Sequence, residues 1–503
     1  VTRLVRPDAT DRRIVGAYLG RVLLGVALLH LPAIGMALVL GEVDDAAAMA
    51  VGALAATVVG RAATLRWSTE EALDWAHGLV TVALAWLVAP LPISLSFVLS
   101  GHFGSYLDAY FEAVSGLTTS GLTMLLDLDH LGSGMQLLRH LTHFAGGQGI
   151  ILVVLTVLSV GGGQIGTLFV GEGRDERIVP SVIRTARLIY VIFTAWALVG
   201  TAVLWGVLVQ SGMGRGSSLL HGIALFLAAF DTGGFSVHST SVAYYHSGLL
   251  ELTLVPVMLA GAVSFPLHWD LWQRRVRSAT QQLDLRMLAT TTTVLTLLVL
   301  VGLGVAGTYA DAGALTRKGV FTALSAATNT GFSVVAGSTY DTWGQLAPGA
   351  LVAIMILGSM AGSTAGGIKT IRIALIAKSI LRDVRKALAP PSSVVVATYR
   401  TRRTRIVTDE QVRGAVVITL LYLVTAVGGS LLHVFHGTSI EQALFESTSA
   451  TANVGLSTGA INPGNHWSVK VLTMFQMWAG RLEFLAVFAL FGYAVAVVRG
   501  RRA

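Results

Sequence analysis

FEAVSGLTTSGLT (111–123), ALFLAAFDTGGFS (224–236), FTALSAATNTGFS (321–333) and FESTSATANVGLS (445–457) are four copies of one pattern. They align without a gap on Gly121, Gly234, Gly331 and Gly455, and each closes Gly-[Leu/Phe]-[Ser/Thr]. Phe111, Phe321 and Phe445 share one offset, as do Ser115, Ser325 and Ser449, and the first and last copies also share Glu112 and Glu446. A single glycine of this kind would read as a loop or a packing contact. Four in register make an internal repeat, and the repeat organises everything around it.

Outward from each copy lie apolar segments long enough to cross a hydrocarbon core of about 30 Å. Their expected spans are 14–40, 47–65, 75–98, 135–160, 188–211, 248–270, 287–308, 346–380, 414–434 and 467–498. The four short apolar segments between pairs of them, near 106–117, 217–230, 314–327 and 438–451, cannot span and read as re-entrant helices. The expected fold is an all-α polytopic membrane protein with about ten spanning helices and four re-entrant pore helices. Four helix–pore-loop–helix repeats surround one central pore, and two extra helices stand at the N-terminus. The corresponding division is 1–70 for the two-helix unit, then 71–165, 166–275, 276–385 and 386–503 for the repeats.

Composition excludes the main soluble alternatives. Of 503 residues 53% are hydrophobic and only 12% charged, about half the charge usual in a soluble domain. Without cysteine there is no disulfide framework, thiolate metal site or cysteine nucleophile. The pI near 9.9 does not signal nucleic acid, because the basic residues cluster at helix ends. With the N-terminus (Arg3, Arg6, Arg12, Arg13) in the cytoplasm, the outer segments hold only Arg139, Arg215, Arg317, Lys318 and Lys470. The inner ones hold most of the rest, including Arg274, Arg275, Arg277, Arg400, Arg402, Arg403 and Arg405. That is the positive-inside pattern, and it puts all four re-entrant segments on the outer side. The first apolar run is too long for a signal-peptide core. The basic connection 381–413, with Pro390 and Pro391, reads as a helix extension plus a loop, or as a docking surface for a cytoplasmic partner.

Backbone at membrane depth is tolerated only where protein or a water-filled cavity satisfies it. Glycine lets such a segment turn its carbonyls toward an axis, and a ring of carbonyls replaces the hydration shell of an alkali cation. The candidate ion-binding residues are Thr118, Thr119, Ser120 and Gly121; Asp231, Thr232, Gly233 and Gly234; Thr328, Asn329, Thr330 and Gly331; and Ala452, Asn453, Val454 and Gly455. Thr118, Thr119, Asn329 and Thr451 either add side-chain oxygens or hydrogen-bond the backbone, the second role being favoured. Re-entrant helices ending here would point negative dipole ends at a cation.

These motifs resemble the pore segments of the Trk/Ktr/HKT potassium-transporter superfamily, and the two extra helices and the length resemble its TrkH-like branch. FAGGQGIIL (144–152), GSMAGSTAGGIKTIR (358–372) and AGRLEF (479–484) carry the same likeness. The resemblance implies a potassium-selective pore with K+ as the transported ion, no organic cofactor, and a multi-pass place in the bacterial plasma membrane. It also implies a homodimer and a cytoplasmic nucleotide-binding regulatory ring (TrkA-like). Glycine at 121, where sodium-transporting plant relatives carry serine, implies potassium. Asp231 departs from the hydroxyl residue usual there; it is expected at the outer mouth, raising cation occupancy or binding a divalent ion.

Gly358, Gly362, Gly366 and Gly367, with Ser359, Ser363 and Thr364, are expected to interrupt the span 346–380, since each glycine destabilises a helix by about 1 kcal/mol relative to alanine. Close helix packing is the plain alternative; the resemblance favours a gate under the filter. Arg481 near the middle of the last span is a functional candidate by default, expected to face the conduction path and repel cations, with Lys369 acting likewise or reaching the cytoplasmic surface. Gly161, Gly163 and Gly166 spell GxGxxG without a βαβ context. Asp231-Thr232-Gly233 spells a protease tripeptide without a second copy. His140 and His143 share a helix face but do not complete a metal site. The competing transport mechanism is a sodium- or proton-coupled carrier, and an intramembrane hydrolase is the weakest alternative.

Overall fold

The computed structural model describes residues 9–68, 75–149, 182–390 and 392–498. The second half of the expected span 135–160, Gly161, Gly163, Gly166 and Pro391 lie outside the described residues. The chain opens with α1 (Ala9–Leu40), α2 (Val43–Arg66), α3 (Trp75–Val88), α4 (Pro90–Leu99), α5 (Tyr106–Leu117) and α6 (Ser133–Gly147). It continues with α7 (Val182–Gln210), α8 (Arg215–Phe230), α9 (Gly248–Ala262), α10 (Phe265–Trp272), α11 (Val276–Thr280), α12 (Leu283–Ala306), α13 (Ala312–Ala327) and α14 (Leu346–Ile356). It closes with α15 (Thr370–Leu388), α16 (Asp409–Phe435), α17 (Ile440–Ala452), α18 (Trp467–Arg481) and α19 (Leu485–Val498).

Six of the described helices are long and apolar enough to cross a membrane, and two bent pairs raise that to eight. The protein is therefore a multi-pass membrane protein. Two expected spans are not continuous: α9 and α10 meet at 106°, and α18 and α19 at 113°. The sequence reading foresaw a break only in 346–380, which is present as the non-helical stretch between α14 and α15.

Among the described residues the expected all-α character has one exception. Thr398–Arg400 and Thr404–Ile406 pair antiparallel, Tyr399 opposite Arg405, so the connection 381–413 is a helix extension plus a hairpin. Arg402 at its turn donates to both Asp270 carboxylate oxygens, at 2.8 and 3.1 Å.

The short helices α5, α8, α13 and α17 carry the four motifs. Ser105, Asp311 and Ser439 cap three of them by accepting the N3 backbone N–H, each cap worth about 1 kcal/mol. Phe111, Phe321 and Phe445 are buried at the shared offset, so their repetition is a packing requirement.

Candidate functional site

All four short helices end in the same way. Thr119, Thr232, Asn329 and Asn453 adopt left-handed backbone, with φ of 53, 51, 54 and 55°. The next amide reaches back five residues: Ser120 N to Ser115 O and Gly233 N to Ala228 O at 2.8 Å, Thr330 N to Ser325 O and Val454 N to Ser449 O at 2.9 Å. This is a Schellman-type stop. Left-handed backbone on a non-glycine residue costs roughly 1–2 kcal/mol, so the surroundings must hold it. Asn329 Nδ2 donates to Met355 O at 3.1 Å and Ala452 O at 3.2 Å. Asn453 Nδ2 donates to Met477 O and Ser120 Oγ, both at 2.8 Å. Each asparagine thus ties its own copy to the next.

Two residues later the chain turns again at Gly121, Gly234, Gly331 and Gly455, with φ of 75, 72, 85 and 97°. These glycines meet in a closed ring. A Cβ on Gly121 would strike Gly233 O, and one on Gly234 would strike Thr330 O. On Gly331 it would strike Val454 O, and on Gly455 it would stand 2.6 Å from Ser120 O and 3.0 Å from Gly121 Cα. The order is first, second, third, fourth and back to the first, with room for no side chain at any of the four. All sixteen expected residues are brought together here, and all but Gly121 and Gly455 are buried outright.

Side chains at the ring mostly serve the backbone. Thr118 Oγ1 donates to Val114 O at 2.8 Å and Thr328 Oγ1 to Leu324 O at 2.9 Å. Each also lies 2.8 Å from the hydroxyl two residues on, Ser120 or Thr330. Thr451 Oγ1 donates to Ser447 O at 2.7 Å. Asp231, expected at an outer mouth, is enclosed by protein. It caps the C-terminal end of α8, is fully buried, and accepts from Gln148 Nε2 at 2.7 Å with Gly147 against its side chain.

The stretch between α14 and α15 passes the C-terminal ends of three short helices. Ser359 Oγ donates to Ala327 O at 3.0 Å, and Thr364 Oγ1 lies 2.9 Å from both Phe230 O and Gly261 O. Gly366 packs on Ala452 O. Gly362 and Gly367 take φ of 74 and 67°, and Ser363 Oγ donates to Met360 O at 2.7 Å. A side chain on Gly358 would collide with Gly366 and Gly367. Lys369 is buried and folds back on the stretch itself, donating to Ala365 O and to Gly366 O. Arg481 donates to Thr364 O and to Gly146 O, each at 2.6 Å, while Glu483 pairs with Arg372. Arg481 thus joins the stretch to the end of α6 on the first repeat.

Residues 47–494 match the family model TrkH, described as a cation transport protein. The chain belongs to the TrkH family. It is 29% identical over 430 residues to the Trk system potassium uptake protein TrkH of Halomonas elongata, covering 82% of this chain and 84% of that one. It is 27% identical over 416 residues to an uncharacterized cation transporter of Methanocaldococcus jannaschii, covering 82% of each. The crystal structure of the potassium transporter TrkH from Vibrio parahaemolyticus shares the fold, with a TM-score of 0.79 at 23% identity over 95% of this chain and 98% of that one.

In this TrkH-family chain the sequence reading missed the residues behind the ring. Glu112 accepts from Thr123 Oγ1 at 2.9 Å and Met124 N at 2.8 Å, and Glu446 from Ser457 Oγ at 2.8 Å and Thr458 N at 2.7 Å. Each carboxylate clamps the strand that leaves its own glycine. Their shared offset was visible, but their partners were not. Arg139 and Lys470, counted among the outer charges, are buried and paired, with Glu112 at 2.6 Å and Asp108 at 2.5 Å.

Proposed function

We propose that this chain is the potassium-selective, ion-conducting subunit of a bacterial potassium-uptake system. The carrying observation is the closed ring of four glycines, each reached through a left-handed residue at the C-terminal end of a short helix. Four helix ends directed at one ring favour a cation, and backbone carbonyls are the ligands that replace the hydration shell of potassium. The sixteen residues 118–121, 231–234, 328–331 and 452–455 form the filter, with Asp231 at its inner end. The names of the relatives from Halomonas elongata and Vibrio parahaemolyticus support potassium as the ion.

The stretch 357–369 with Arg481 is the gate, because it crosses beneath the filter and is held there by hydrogen bonds that can break without unfolding a helix. The four repeats, 71–165, 166–275, 276–385 and 386–503, share one orientation in the bacterial inner membrane. The N-terminal unit 1–70 starts in the cytoplasm. The subunit works as a homodimer on a cytoplasmic nucleotide-binding ring, and it catalyses no covalent chemistry. Reversal potentials in mixed potassium and sodium, measured on protein in liposomes, test the reading: a potential that follows the potassium gradient is expected, and one that ignores it overturns the assignment.

A further inference from the structure

The helices that follow the four filter segments are not chemically alike. Aligned in sequence on Gly146, Gly261, Ser359 and Gly480, which all meet the ends of their short helices, α6 has Arg139, His140 and His143 where the others have apolar residues or Thr473. The counterparts are Leu254, Val255 and Met258; Val352, Ala353 and Ile356; and Thr473, Met474 and Met477. Burying three such side chains is unfavourable unless each is satisfied, and here each is satisfied by filter backbone or its clamp.

Arg139 spans the gap between two copies. Its Nε and Nη2 donate to Glu112 Oε1 at 2.9 and 2.6 Å, and Glu112 holds the strand leaving Gly121. Its Nη1 donates to Ser236 O at 3.2 Å, on the strand leaving Gly234, and to Gln136 Oε1 at 3.0 Å. The guanidinium also covers the Phe235 ring at 4.2 Å. His143 repeats the tie: its Nε2 accepts from Phe235 N at 3.2 Å and its Nδ1 lies 3.0 Å from Gly116 O on α5. A Cβ on Gly233 would overlap the His143 ring.

We infer that this polar face of α6 fixes the spacing of the first and second filter segments, and that Arg139 is the positioning residue on which discrimination between potassium and sodium depends. The inference rests on the filter reading given above. Guanidinium geometry is required, because a fork can hold Glu112 and Ser236 O together, whereas an ammonium is a single point. Charge alone does not meet that need.

The test uses full-length protein in liposomes, with the potassium/sodium permeability ratio taken from reversal potentials and the folded fraction measured on the same samples. Wild type and Gly121→Ser come first: a wild type without potassium preference removes the filter reading itself and separates that failure from this one. Two variants then address Arg139. Arg139→Lys keeps the charge, and Glu112→Gln with Arg139→Met removes both charges of the buried pair while the Gln side-chain oxygen can still accept from Met124 N. A selective wild type with a ratio reduced about tenfold in the double variant, and partly in Arg139→Lys, is expected from loosening a carbonyl cage that selects by its geometry. A folded double variant with the wild-type ratio overturns the proposal; should it fail to fold, an unchanged ratio in Arg139→Lys does so alone.

Discussion

Replacing Arg481 separates two things the structure makes it do. It holds the proposed gate stretch through Thr364 O and the first repeat through Gly146 O, both at 2.6 Å, and it carries a positive charge beside the proposed path. A hydrogen bond to a charged group contributes about 1.5–3 kcal/mol, so losing both releases about 3–6 kcal/mol before water reclaims the two carbonyls. A cation passing at about 5 Å meets a further repulsion of roughly 3 kcal/mol at an effective dielectric of 20. The repulsion alone is worth about two orders of magnitude in rate, and the two hydrogen bonds about two to four. Arg481→Ala removes both, Arg481→Gln removes the charge and one arm, and Arg481→Lys keeps the charge but cannot hold both carbonyls. The expected order of basal potassium flux into liposomes, per folded molecule, is Ala above Gln, Gln above Lys, and Lys above wild type. Equal flux in Ala, Gln and wild type would refute both roles. Lys equal to wild type would leave only the charge, and Lys equal to Gln only the latch.

Gly121→Ser should admit more sodium and lower the amount of folded protein, because its Cβ collides with Gly233 O and φ is 75°; an unchanged permeability ratio would count against the ring as a filter. Thr364→Val keeps the shape but loses the contacts to Phe230 O and Gly261 O, so basal flux should rise about tenfold for a lost net contribution near 1.4 kcal/mol, and unaltered flux would remove the hydroxyl from the gate. In the loops that follow the first two glycine turns, the hydrogen bond from His238 holds the Asp129 carboxyl below its ordinary value of 3.8. A depressed folded value means the stabilisation is present above 3.8 and is lost as pH falls through the folded value. The melting-temperature difference between wild type and Asp129→Asn should therefore shrink below pH 3.8, and a difference independent of pH would exclude this contact.

The copies were legible because each glycine faces the same steric demand. No side chain fits at Gly121, Gly234, Gly331 or Gly455, and such a demand repeats wherever the geometry repeats. The break in 346–380 was legible for a related reason, since its glycines are dense enough to defeat helix propensity. The break after Arg481 was not, because Leu482 and Glu483 are good helix formers and the only glycine beside it is Gly480. The break after Ala262 carried a signal in Pro266, which disfavours helix at the residue before it, but one proline within a long apolar run does not by itself separate a break from a kink. Arg139 was read as a topology charge since neither propensity nor hydropathy encodes a partner twenty-seven residues away. The hairpin at 398–406 is too short for periodicity to register, and it depends on Arg402 reaching Asp270.

The unread breaks obey a rule of their own. Side chains at Gly146, Gly261 and Gly480 would strike Leu117 O, Phe230 O and Thr451 O, the last residue but three before each filter glycine, and Ser359 donates to the equivalent Ala327 O. Each second helix therefore needs a small or hydroxyl residue where it meets the end of a short helix, and next to that contact the helix stops or turns. A filter segment and the break beside it share one contact at four places. Any movement that opens the stretch 357–369 must then shift Ser359 against Ala327 O and Thr364 against Phe230 O, at the bases of the third and second filter segments. The proposed filter and the proposed gate occupy adjoining atoms, so substitutions in the stretch 357–369 that relax these two contacts should alter ion preference as well as flux, whereas changes confined to the distal end of α15 should alter flux alone.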